Sequence, residues 1–252
     1  MKPLAVITGG QQGIGLGILE ALVRTGYRVA ILSERPKSDP AVQQVMSEHE
    51  GNVHYLEHDV REISQHESVI AKLVSAFGPI HTFVSNAGIA SPKRGDMFEI
   101  TPEHFDRVMD INLRGAFFLA QAVSHHMLST EIEGYRSLTF ITSVSAEMAS
   151  IERADYCISK AAASMMVKTL ALRLAAHDIG VFELRPGIIK TAMTEAVQEA
   201  YSARIEDGLV PAKRWGTPRD IGALLLPIAR GDMAFATGSV IPVDGGLSVA
   251  RL

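Results

Sequence analysis

TGGQQGIG, residues 8–15, is a glycine-rich turn between a short apolar segment at 4–7 and a stretch with helical apolar spacing at 14–25. The first segment is typical of a buried strand and the second of an amphipathic helix. Glycine adopts positive φ readily and allows a ligand to approach the backbone closely. The helix N-terminus behind the turn offers unpaired N–H groups and a partial positive charge. Together these features predict a binding site for a pyrophosphate.

Outward from this turn, strands and helices alternate along the chain. Helices are predicted at 62–77, 101–127 and 155–176, and further strands at 28–32, 52–56, 81–85, 138–142, 181–184 and 239–242. Alternation in units of roughly 30 residues is typical of parallel βαβ units. We therefore predict one α/β domain over 1–252, a doubly wound (Rossmann) sheet of seven parallel strands flanked by helices. Such sheets bind ligands beyond the carboxyl ends of their strands.

Composition and charge exclude several classes of protein. With 47% hydrophobic and 21% charged residues, the chain suits one globular domain with a substantial core. Its net charge of −4 gives no reason to expect nucleic-acid or anionic-membrane binding. We expect no signal peptide and no transmembrane segment, because the apolar runs are short or interrupted. The single cysteine, Cys157, excludes an internal disulfide and fits the reducing cytoplasm.

The histidines do not suggest a metal site. His54 and His58 are four residues apart on a predicted strand, which would separate them by about 13 Å. His125 and His126 are neighbours on a predicted helix, where adjacent side chains point apart. We therefore predict no bound metal, and we interpret Cys157 as a small packing residue.

Tyr156 and Lys160 lie four residues apart in a predicted helix and therefore share one face. A free tyrosine hydroxyl is too weak an acid for efficient proton transfer at neutral pH. A nearby ammonium group stabilises the phenolate and so lowers the pKa of the tyrosine. Tyrosine and lysine at this spacing can thus form one chemical unit, although the pattern alone is also common on solvated helix surfaces.

The ordered set of motifs resembles the short-chain dehydrogenase/reductase family. The spacing Thr-Gly-x-x-x-Gly-Ile-Gly in the first turn differs from the common dinucleotide fingerprint and matches that family. The resemblance continues through nearly the whole chain to 243–246 and implies hydride transfer between NAD(P) and a secondary alcohol or ketone. The further matching positions are Asp59, Asn86-Ala87-Gly88, Asn112, Ser143, Tyr156-x-x-x-Lys160, Pro186-Gly187 and Thr191.

The resemblance implies a catalytic set of four residues. Tyr156 is then the general acid/base, Ser143 holds the substrate oxygen, and Lys160 also binds the ribose hydroxyls of the nicotinamide half. Asn112 fixes a helix irregularity and a water in a proton relay to the lysine. Ser145 competes with Ser143, but the family spacing of thirteen residues before Tyr156 favours Ser143. We expect Ser145 to line the substrate pocket.

The same resemblance implies a cofactor site along the sheet edge. Asp59 should contact the adenine amino group, and Ile188, Ile189 and Thr191 should border the nicotinamide carboxamide. Asn86 either supports the ribose side or braces the sheet, and the sequence leaves both open. The full predicted set is Gly9, Gln12, Gly13, Ile14, Gly15, Ser33, Glu34, Asp59, Val60, Asn86, Ala87, Gly88, Tyr156, Lys160, Pro186, Gly187, Ile189 and Thr191.

The end of the second predicted strand should decide between NAD and NADP. An acidic residue there accepts hydrogen bonds from the adenosine ribose and repels the 2′-phosphate of NADP. Ser33 occupies the family's usual acidic position and Glu34 follows it. Gln12 is uncharged where NADP-preferring relatives often carry a basic side chain. We therefore predict NAD, while Arg35 keeps NADP open.

Residues 191–215 should form a mobile lid over the substrate, with Glu147, Met148, Arg153, Met193 and Tyr201 as candidate lining residues. The sequence leaves the substrate open between a 3-oxoacyl group on acyl carrier protein and a free sugar-derived molecule or hydroxy acid. Many members of the family reduce the former. A non-enzymatic dinucleotide-binding scaffold is the alternative class, which the intact catalytic set argues against.

Two expectations concern partners. The acidic acyl carrier protein needs basic docking residues near the ends of the two central helices. Arg136 suits one end, while His177-Asp178 at the other end is less suitable. The resemblance also implies a homotetramer, in which the long helices pair and the apolar tail 247–252 packs across a neighbour.

Overall fold

The computed structural model of the chain describes residues 2–251. Within them, seven strands form one parallel sheet in the order β3-β2-β1-β4-β5-β6-β7. The order reverses between β1 and β4, so a crevice opens beyond the carboxyl ends of these strands. The predicted Rossmann fold with seven parallel strands is confirmed. The strands are β1 (Leu4–Thr8), β2 (Arg28–Ser33), β3 (Val53–Glu57), β4 (Ile80–Ser85), β5 (Arg136–Ile141), β6 (Ile179–Pro186) and β7 (Val240–Val243).

Helices cover both faces of the sheet, because successive side chains of β1 point to opposite faces and those of residues 4–7 are all apolar. Leu4 and Val6 belong to the core beneath α3, α5 and α6, whereas Ala5 and Ile7 belong to the core beneath α1 and α8. A sheet buried on both faces explains why its strands are almost continuously apolar. The helices are α1 (Gly13–Arg24), α2 (Pro40–Glu48), α3 (His66–Phe77), α4 (Pro102–Met109), α5 (Ala116–Ser129), α6 (Ala154–Leu174), α7 (Gln198–Glu206) and α8 (Pro218–Arg230).

The long helix predicted at 101–127 is interrupted. Six residues, Asp110–Gly115, form a π-helical segment between α4 and α5. Gly115 lies in it, and a Cβ atom there would stand 2.5 Å from the carbonyl oxygen of Val60. The π-helical segment therefore packs directly against the backbone of the loop after β3. Helical periodicity alone did not reveal this irregularity.

Three helices were not predicted, although their start signals are present. The side chain of Asp39 accepts a hydrogen bond from the backbone at the start of α2, with Pro40 in the first turn. Thr217 and Asp220 form a capping box at the start of α8, with Pro218 at the first position. The third is α7, which lies within the predicted lid. Of the helices in residues 2–251, none combines the length and apolarity needed to cross a bilayer.

Candidate active site

One cleft at the carboxyl edge of the sheet joins the two predicted halves of the site. It has a volume of about 180 Å³ and contains the glycine turn, the segment after β4 and the exposed face of the first turns of α6. Its lining residues are Gly9, Gln12, Gly13, Ile14, Asn86, Ala87, Gly88, Ile89, Ile141, Thr142, Tyr156, Lys160, Thr191, Ala192 and Met193.

The glycine turn has the geometry of an anion site. Gly9 and Gly13 adopt positive φ of 69° and 53°. A Cβ atom at Gly15 would lie 2.2 Å from the carbonyl oxygen of Gly9, so only glycine fits there. The N-cap side chain of α1, Gln12, makes no capping hydrogen bond within residues 2–251, and the first turn of α1 has no acidic residue. The amide N–H groups at this helix start are therefore left for a ligand.

Asn86 braces this turn. Its side-chain amide donates hydrogen bonds to the carbonyl oxygens of Thr8 at 2.9 Å and Gly9 at 3.2 Å. In return, the Thr8 hydroxyl accepts from the backbone N–H groups of Asn86 and Ala87, at 2.9 and 2.8 Å. Of the two roles left open by the sequence, these contacts supply the bracing one. Thr8 was not predicted as a site residue, although its place directly before the first glycine is a usable signal.

The predicted catalytic lysine is buried and tied to the sheet. Lys160 is 6% exposed, and its Nζ donates a 3.1 Å hydrogen bond to the carbonyl oxygen of Ile141, at the end of β5. The same Nζ lies 5.6 Å from the centroid of the Tyr156 ring. Lysine and tyrosine thus meet in the cleft, as the spacing on α6 predicts.

Asn112 lies behind the cleft in the π-helical segment. Its Oδ1 accepts from the backbone N–H of Ile89 at 2.8 Å, and its Nδ2 donates to the Ile89 carbonyl at 3.0 Å and to the Ser159 hydroxyl at 3.1 Å. A Cβ atom at Gly88 would lie 3.1 Å from Asn112 Oδ1 and 3.5 Å from Lys160 Nζ. Asn112 therefore connects the loop after β4 to α6 beside the lysine.

Asp155 is a site residue that the sequence analysis missed. Its side chain is almost fully buried, and its carboxylate accepts hydrogen bonds from the Ser91 hydroxyl and, at 2.7 Å, from the backbone N–H of Tyr156. An acidic residue in the first turn of a helix is favourable by itself. Here it also fixes the start of α6 against the loop after β4. The available signal was a carboxylate directly before the catalytic tyrosine.

At the predicted adenosine end, the last residue of β2 and the two residues after it have different surroundings. Ser33 is buried, and its hydroxyl accepts a 2.9 Å hydrogen bond from Gln11 Nε2. The Glu34 side chain is 62% exposed. Arg35 pairs with Asp39 at 2.9 Å, so its charge is already compensated. Glu34 also has a cation nearby, since its carboxylate lies 4.0 Å from the Arg61 guanidinium, but it is the most exposed acidic group of this segment.

The predicted adenine contact, Asp59, is engaged within the protein. Arg61 donates from Nε to both carboxylate oxygens, at 3.1 and 3.0 Å. These hydrogen bonds hold the pKa of Asp59 below its ordinary value. Val60 is buried, and its carbonyl oxygen lies 3.0 Å from His66 Nε2. Asp59 and Val60 lie after β3, outside the cleft that contains Tyr156.

The nicotinamide end is formed after β6. Pro186 ends the strand, and Gly187 packs so closely on Asp244 that a Cβ atom would lie 2.7 Å from the Asp244 Cβ. Ile189 is buried and pairs with Gly216 in a short parallel bridge. Thr191 lines the cleft facing Gly13, with its methyl group 3.5 Å from a Cβ atom built there. Both ends of the predicted lid are thus anchored.

A second cavity of about 190 Å³ lies next to Ser143. The Ser143 hydroxyl accepts a 3.1 Å hydrogen bond from the backbone N–H of Ser145. Ser145 also lines the cavity, as expected, and its buried hydroxyl has no hydrogen-bond partner within residues 2–251. The lining residues are Arg94, Ser143, Val144, Ser145, Met148, Ala149, Arg153, Gly187, Ile188, Thr194, Val197, Tyr201, Arg204, Leu209 and Leu247.

The candidate substrate-lining residues separate into three groups. Met148, Arg153 and Tyr201 line this second cavity. Met193 lines the cofactor cleft instead. Glu147 is not among the lining residues of either space, and its carboxylate forms a 2.7 Å ion pair with Arg185.

His54, His58 and His66 pack against other rings, whereas His125 and His177 are exposed. The His54 ring stacks on Phe77 with centroids 3.9 Å apart, and His58 meets His66 edge-on at 5.1 Å. Within residues 2–251, no three His, Cys, Asp or Glu side chains are grouped to hold a metal ion. Cys157 is half-buried, and its sulfur lies 4.0 Å from the carbonyl oxygen of Met148.

A family model described as enoyl-(acyl carrier protein) reductase matches residues 9–248, almost the entire chain. The chain belongs to the short-chain dehydrogenase/reductase family. Members of this family are NAD(P)-dependent oxidoreductases, and the predicted enzyme class, a dehydrogenase or reductase acting on CH–OH groups, is confirmed.

Individual relatives agree over the whole length. A solved 3-oxoacyl-[acyl-carrier protein] reductase from Brucella melitensis, in complex with NAD, has 48% identity and a TM-score of 0.96, covering 100% of this chain and 99% of that one. The 3-oxoacyl-[acyl-carrier-protein] reductase MabA of Mycobacterium bovis is 32% identical over 98% of this chain and 93% of its own. The L-rhamnose-1-dehydrogenase of Scheffersomyces stipitis is 30% identical over 98% and 96%.

Proposed function

We propose that this short-chain dehydrogenase/reductase interconverts a secondary alcohol and a ketone with NAD(H), and that Tyr156 is the general acid/base. The observation that carries the proposal is the shared cleft. It brings Gly9 and Gly13 of the anion-binding turn into one space with Tyr156 and Lys160. A phosphate site and an acid/base pair in one cleft support dinucleotide-dependent proton and hydride chemistry.

The residues present fit a dinucleotide. The open N–H groups at the start of α1 suit the pyrophosphate, and Gly15 permits its close approach. Lys160 is placed to bind ribose hydroxyls, and Thr191 closes the nicotinamide side of the cleft. A bound nicotinamide supplies or accepts the hydride at the substrate carbon.

The proton is assigned to Tyr156. During reduction, its hydroxyl donates a proton to the carbonyl oxygen while hydride reaches the carbonyl carbon, so ketone, NADH and H⁺ give alcohol and NAD⁺. During oxidation, the phenolate accepts the alcohol proton. Lys160 stabilises that phenolate, and Ser143 donates a hydrogen bond to the substrate oxygen. Asn112 and Asp155 act as positioning residues, because their contacts fix the loop after β4 against α6.

The adenosine end supports NAD rather than NADP. Glu34 presents a largely exposed carboxylate after β2, paired with Arg61 only at 4.0 Å, which should repel a 2′-phosphate. In the sequence, Arg35 was the residue compatible with NADP. Its guanidinium is paired with Asp39, so it should attract a 2′-phosphate less strongly. Gln12 lines the cleft as a neutral side chain. The solved relative from Brucella melitensis binds NAD, which agrees with this assignment.

Two substrate classes remain in view. The Brucella melitensis and Mycobacterium bovis relatives are named as 3-oxoacyl reductases acting on acyl carrier protein substrates, whereas the Scheffersomyces stipitis relative is named as a sugar dehydrogenase. Arg136, the expected docking residue for the carrier protein, donates to the carbonyl oxygens of Met127 at 2.6 Å and His177 at 2.7 Å. Its guanidinium is already bound to the ends of α5 and α6, which favours a free small molecule.

We also propose a cytoplasmic homotetramer. Ile158, Met165 and Leu172 are exposed at seven-residue intervals along α6 and form an apolar stripe suited to helix pairing. In the tail 247–252, Val249 is also exposed, while Leu252 lies outside the described residues. Light scattering at micromolar protein should give four times the chain mass of 27.2 kDa, and a monomer would contradict the assembly.

The function is tested by measuring oxidation of NADH and NADPH with purified protein and a panel of carbonyl compounds. The panel includes 3-oxoacyl thioesters, sugar-derived ketones and oxo acids, with matched alcohols and NAD⁺ or NADP⁺ for the reverse direction. We expect turnover with at least one pair and higher kcat/KM with NADH. Tight dinucleotide binding without turnover of any compound would indicate a scaffold instead.

A further inference from the structure

The cavity beside Ser143 carries an excess of positive charge. Arg94, Arg153 and Arg204 line it, and its lining residues in the described part of the chain include no Asp or Glu. The arginines come from three separate segments, namely the loop after β4, the turn before α6, and helix α7 in the lid. Because the whole chain has a net charge of −4, this concentration of arginine is not a general property of its surface.

None of the three is neutralised within residues 2–251. Nearby cations do have carboxylate partners, since Lys93 lies 3.6 Å from Glu99, and Arg185 is paired with Glu147 and Glu183. Arg94, Arg153 and Arg204 form no ion pair and no side-chain hydrogen bond in the same set of residues. Their charges are therefore available to a ligand that enters the cavity.

Two of the guanidinium groups stack on aromatic rings. The Arg153 Cζ lies 5.7 Å from the centroid of Tyr156, and the Arg204 Cζ lies 5.5 Å from that of Tyr201. An arginine held over an aromatic ring keeps N–H donors that can bind a carboxylate or phosphate. The contact with Tyr156 places Arg153 beside the ring that carries the reacting hydroxyl.

We propose that the substrate is an anion, a secondary alcohol or ketone bearing a carboxylate or phosphate that these three arginines bind. This rests on the proposed function, because it names the substrate class of the same site. The cavity, at about 190 Å³, is smaller than the roughly 300–1,000 Å³ of pockets for drug-sized ligands, so it suits a compact molecule. A neutral acyl chain there would offer no partner to the three charges, whereas a carboxylate or phosphate pairs with them.

Matched substrate pairs test the charge requirement. Gluconate is compared with sorbitol, 3-hydroxybutyrate with 2-butanol, and sorbitol 6-phosphate with sorbitol, each with NAD⁺. The reverse direction compares acetoacetate with its neutral N-acetylcysteamine thioester. We expect kcat/KM for each anion to exceed that for its neutral partner at least a hundredfold. Comparing the carboxylate pairs with the phosphate pair shows which anionic group is bound. Equal or faster turnover of the neutral partners would overturn the proposal.

Variants connect the charge requirement to the arginines. R153Q and R204Q should each raise KM for the anionic substrate tenfold or more, while KM for NAD⁺ changes less than twofold. R24Q is the matched control, because Arg24 lies on α1 outside the cavity with a side chain 59% exposed. If KM for the anionic substrate is unchanged in both cavity variants, Arg153 and Arg204 do not bind the substrate.

A binding measurement separates this proposal from the proposed function. Succinate and inorganic phosphate are titrated calorimetrically into the protein with NADH bound, which needs no turnover. We expect at least one to bind, with affinity at least tenfold weaker in the double variant R153Q/R204Q. If neither binds, the anion site is refuted. If one binds in this way but no alcohol or ketone reacts, the anion site stands and the proposed function fails.

Discussion

The Nζ of Lys160 donates a 3.1 Å hydrogen bond to the carbonyl oxygen of Ile141, two residues before Ser143. This single contact ties helix α6 to the end of β5, and therefore ties the tyrosine–lysine pair to the strand that presents the serine. It also holds a buried ammonium group at 5.6 Å from the Tyr156 ring. The lysine thus has a structural and an electrostatic role at the same position.

Replacing Lys160 with alanine should impair both cofactor binding and catalysis. The change removes the proposed ribose contact and the charge that stabilises the phenolate. We expect about tenfold weaker NADH binding and a kcat lower by roughly a hundredfold or more. Fluorescence titration and steady-state kinetics measure the two effects. Lys168→Ala, at an exposed position of the same helix, is the control, and unaltered cofactor affinity in the Lys160 variant would refute the ribose contact.

Replacing Tyr156 with phenylalanine should remove only the proton donor. Turnover is expected to fall by about 10²- to 10⁴-fold, while NADH binds as in the wild type. Tyr135→Phe is a matched control, because the Tyr135 hydroxyl is buried without a hydrogen-bond partner in residues 2–251 and lies outside the cleft. Retention of more than about a tenth of the activity would mean that another group is the general acid.

Replacing Glu34 with alanine should weaken the preference for NADH. The exposed carboxylate is expected to repel the 2′-phosphate, so its removal should improve kcat/KM with NADPH relative to NADH by about tenfold. Comparing both coenzymes at constant ionic strength measures this, because the effect is electrostatic. Glu20→Ala is the control for the loss of one negative charge elsewhere, because Glu20 is a partly exposed carboxylate on α1. A wild-type protein that already prefers NADPH would contradict the assignment.

A buried ion pair on β6 should contribute strongly to the stability of the protein. Glu183 is fully buried and accepts hydrogen bonds from Arg185 Nε at 2.6 Å, Thr142 at 2.6 Å and Ser164 at 2.7 Å. Arg185→Met would leave that carboxylate without its cation and should cost about 3–5 kcal/mol. At roughly 2–4 °C per kcal/mol for a chain of this size, calorimetry should show a clear fall in Tm.

Two comparisons make this stability prediction specific. Arg230→Met breaks a pair whose side chains are 53% and 54% exposed, and it should cost less than about 1 kcal/mol. The double variant Glu183→Leu with Arg185→Met removes both charges and should recover much of the lost stability. If Arg185→Met and Arg230→Met lower the free energy of unfolding equally, the Glu183–Arg185 pair is solvated in the protein.

Stability should fall between about pH 6.5 and pH 4 because of His58. Burial and the neighbouring His66 lower the pKa of His58 to about 4. In this window the unfolded chain binds a proton that the folded protein does not, so the free energy of unfolding decreases as pH falls and levels off below the folded pKa. His58→Phe retains the ring contact with His66 but does not titrate. Its stability should decrease by about 3 kcal/mol less across the window, measured by denaturant unfolding. Parallel pH curves for both proteins would refute the assignment.

Much of the fold follows from local sequence. Apolar segments of strand length alternate with helical periodicity, and glycines at positions 9, 13 and 15 select the conformation of the first turn. Tyr156 and Lys160 face the same side because a helix places residues four apart on one face. These features depend on chain geometry over a few residues, which is why the sequence alone predicted the parallel sheet and the paired catalytic residues.

Other features depend on residues far apart in the chain. Asn86 uses its amide on Thr8 and Gly9, and Asn112 bridges Ile89 and Ser159, pairings that no local spacing predicts. Each exists because a buried polar group must find a partner wherever the tertiary structure provides one. The same requirement joins Glu183 to Thr142 and Ser164, which lie 41 and 19 residues away in the chain.

The sequence by itself therefore determined the parallel sheet and the glycine turn, because both are encoded in short-range periodicity and backbone sterics. The acid/base pair was predicted from the family resemblance, since tyrosine and lysine at this spacing are also common on solvated helix surfaces. Only the tertiary structure decided which polar groups brace the site and which charges converge on the substrate. Arg94, Arg153 and Arg204 are 59 and 51 residues apart along the chain, yet they line one cavity. Their convergence is set by the packing of the loop after β4, α6 and α7, and long-range packing of this kind has no signature in the local sequence.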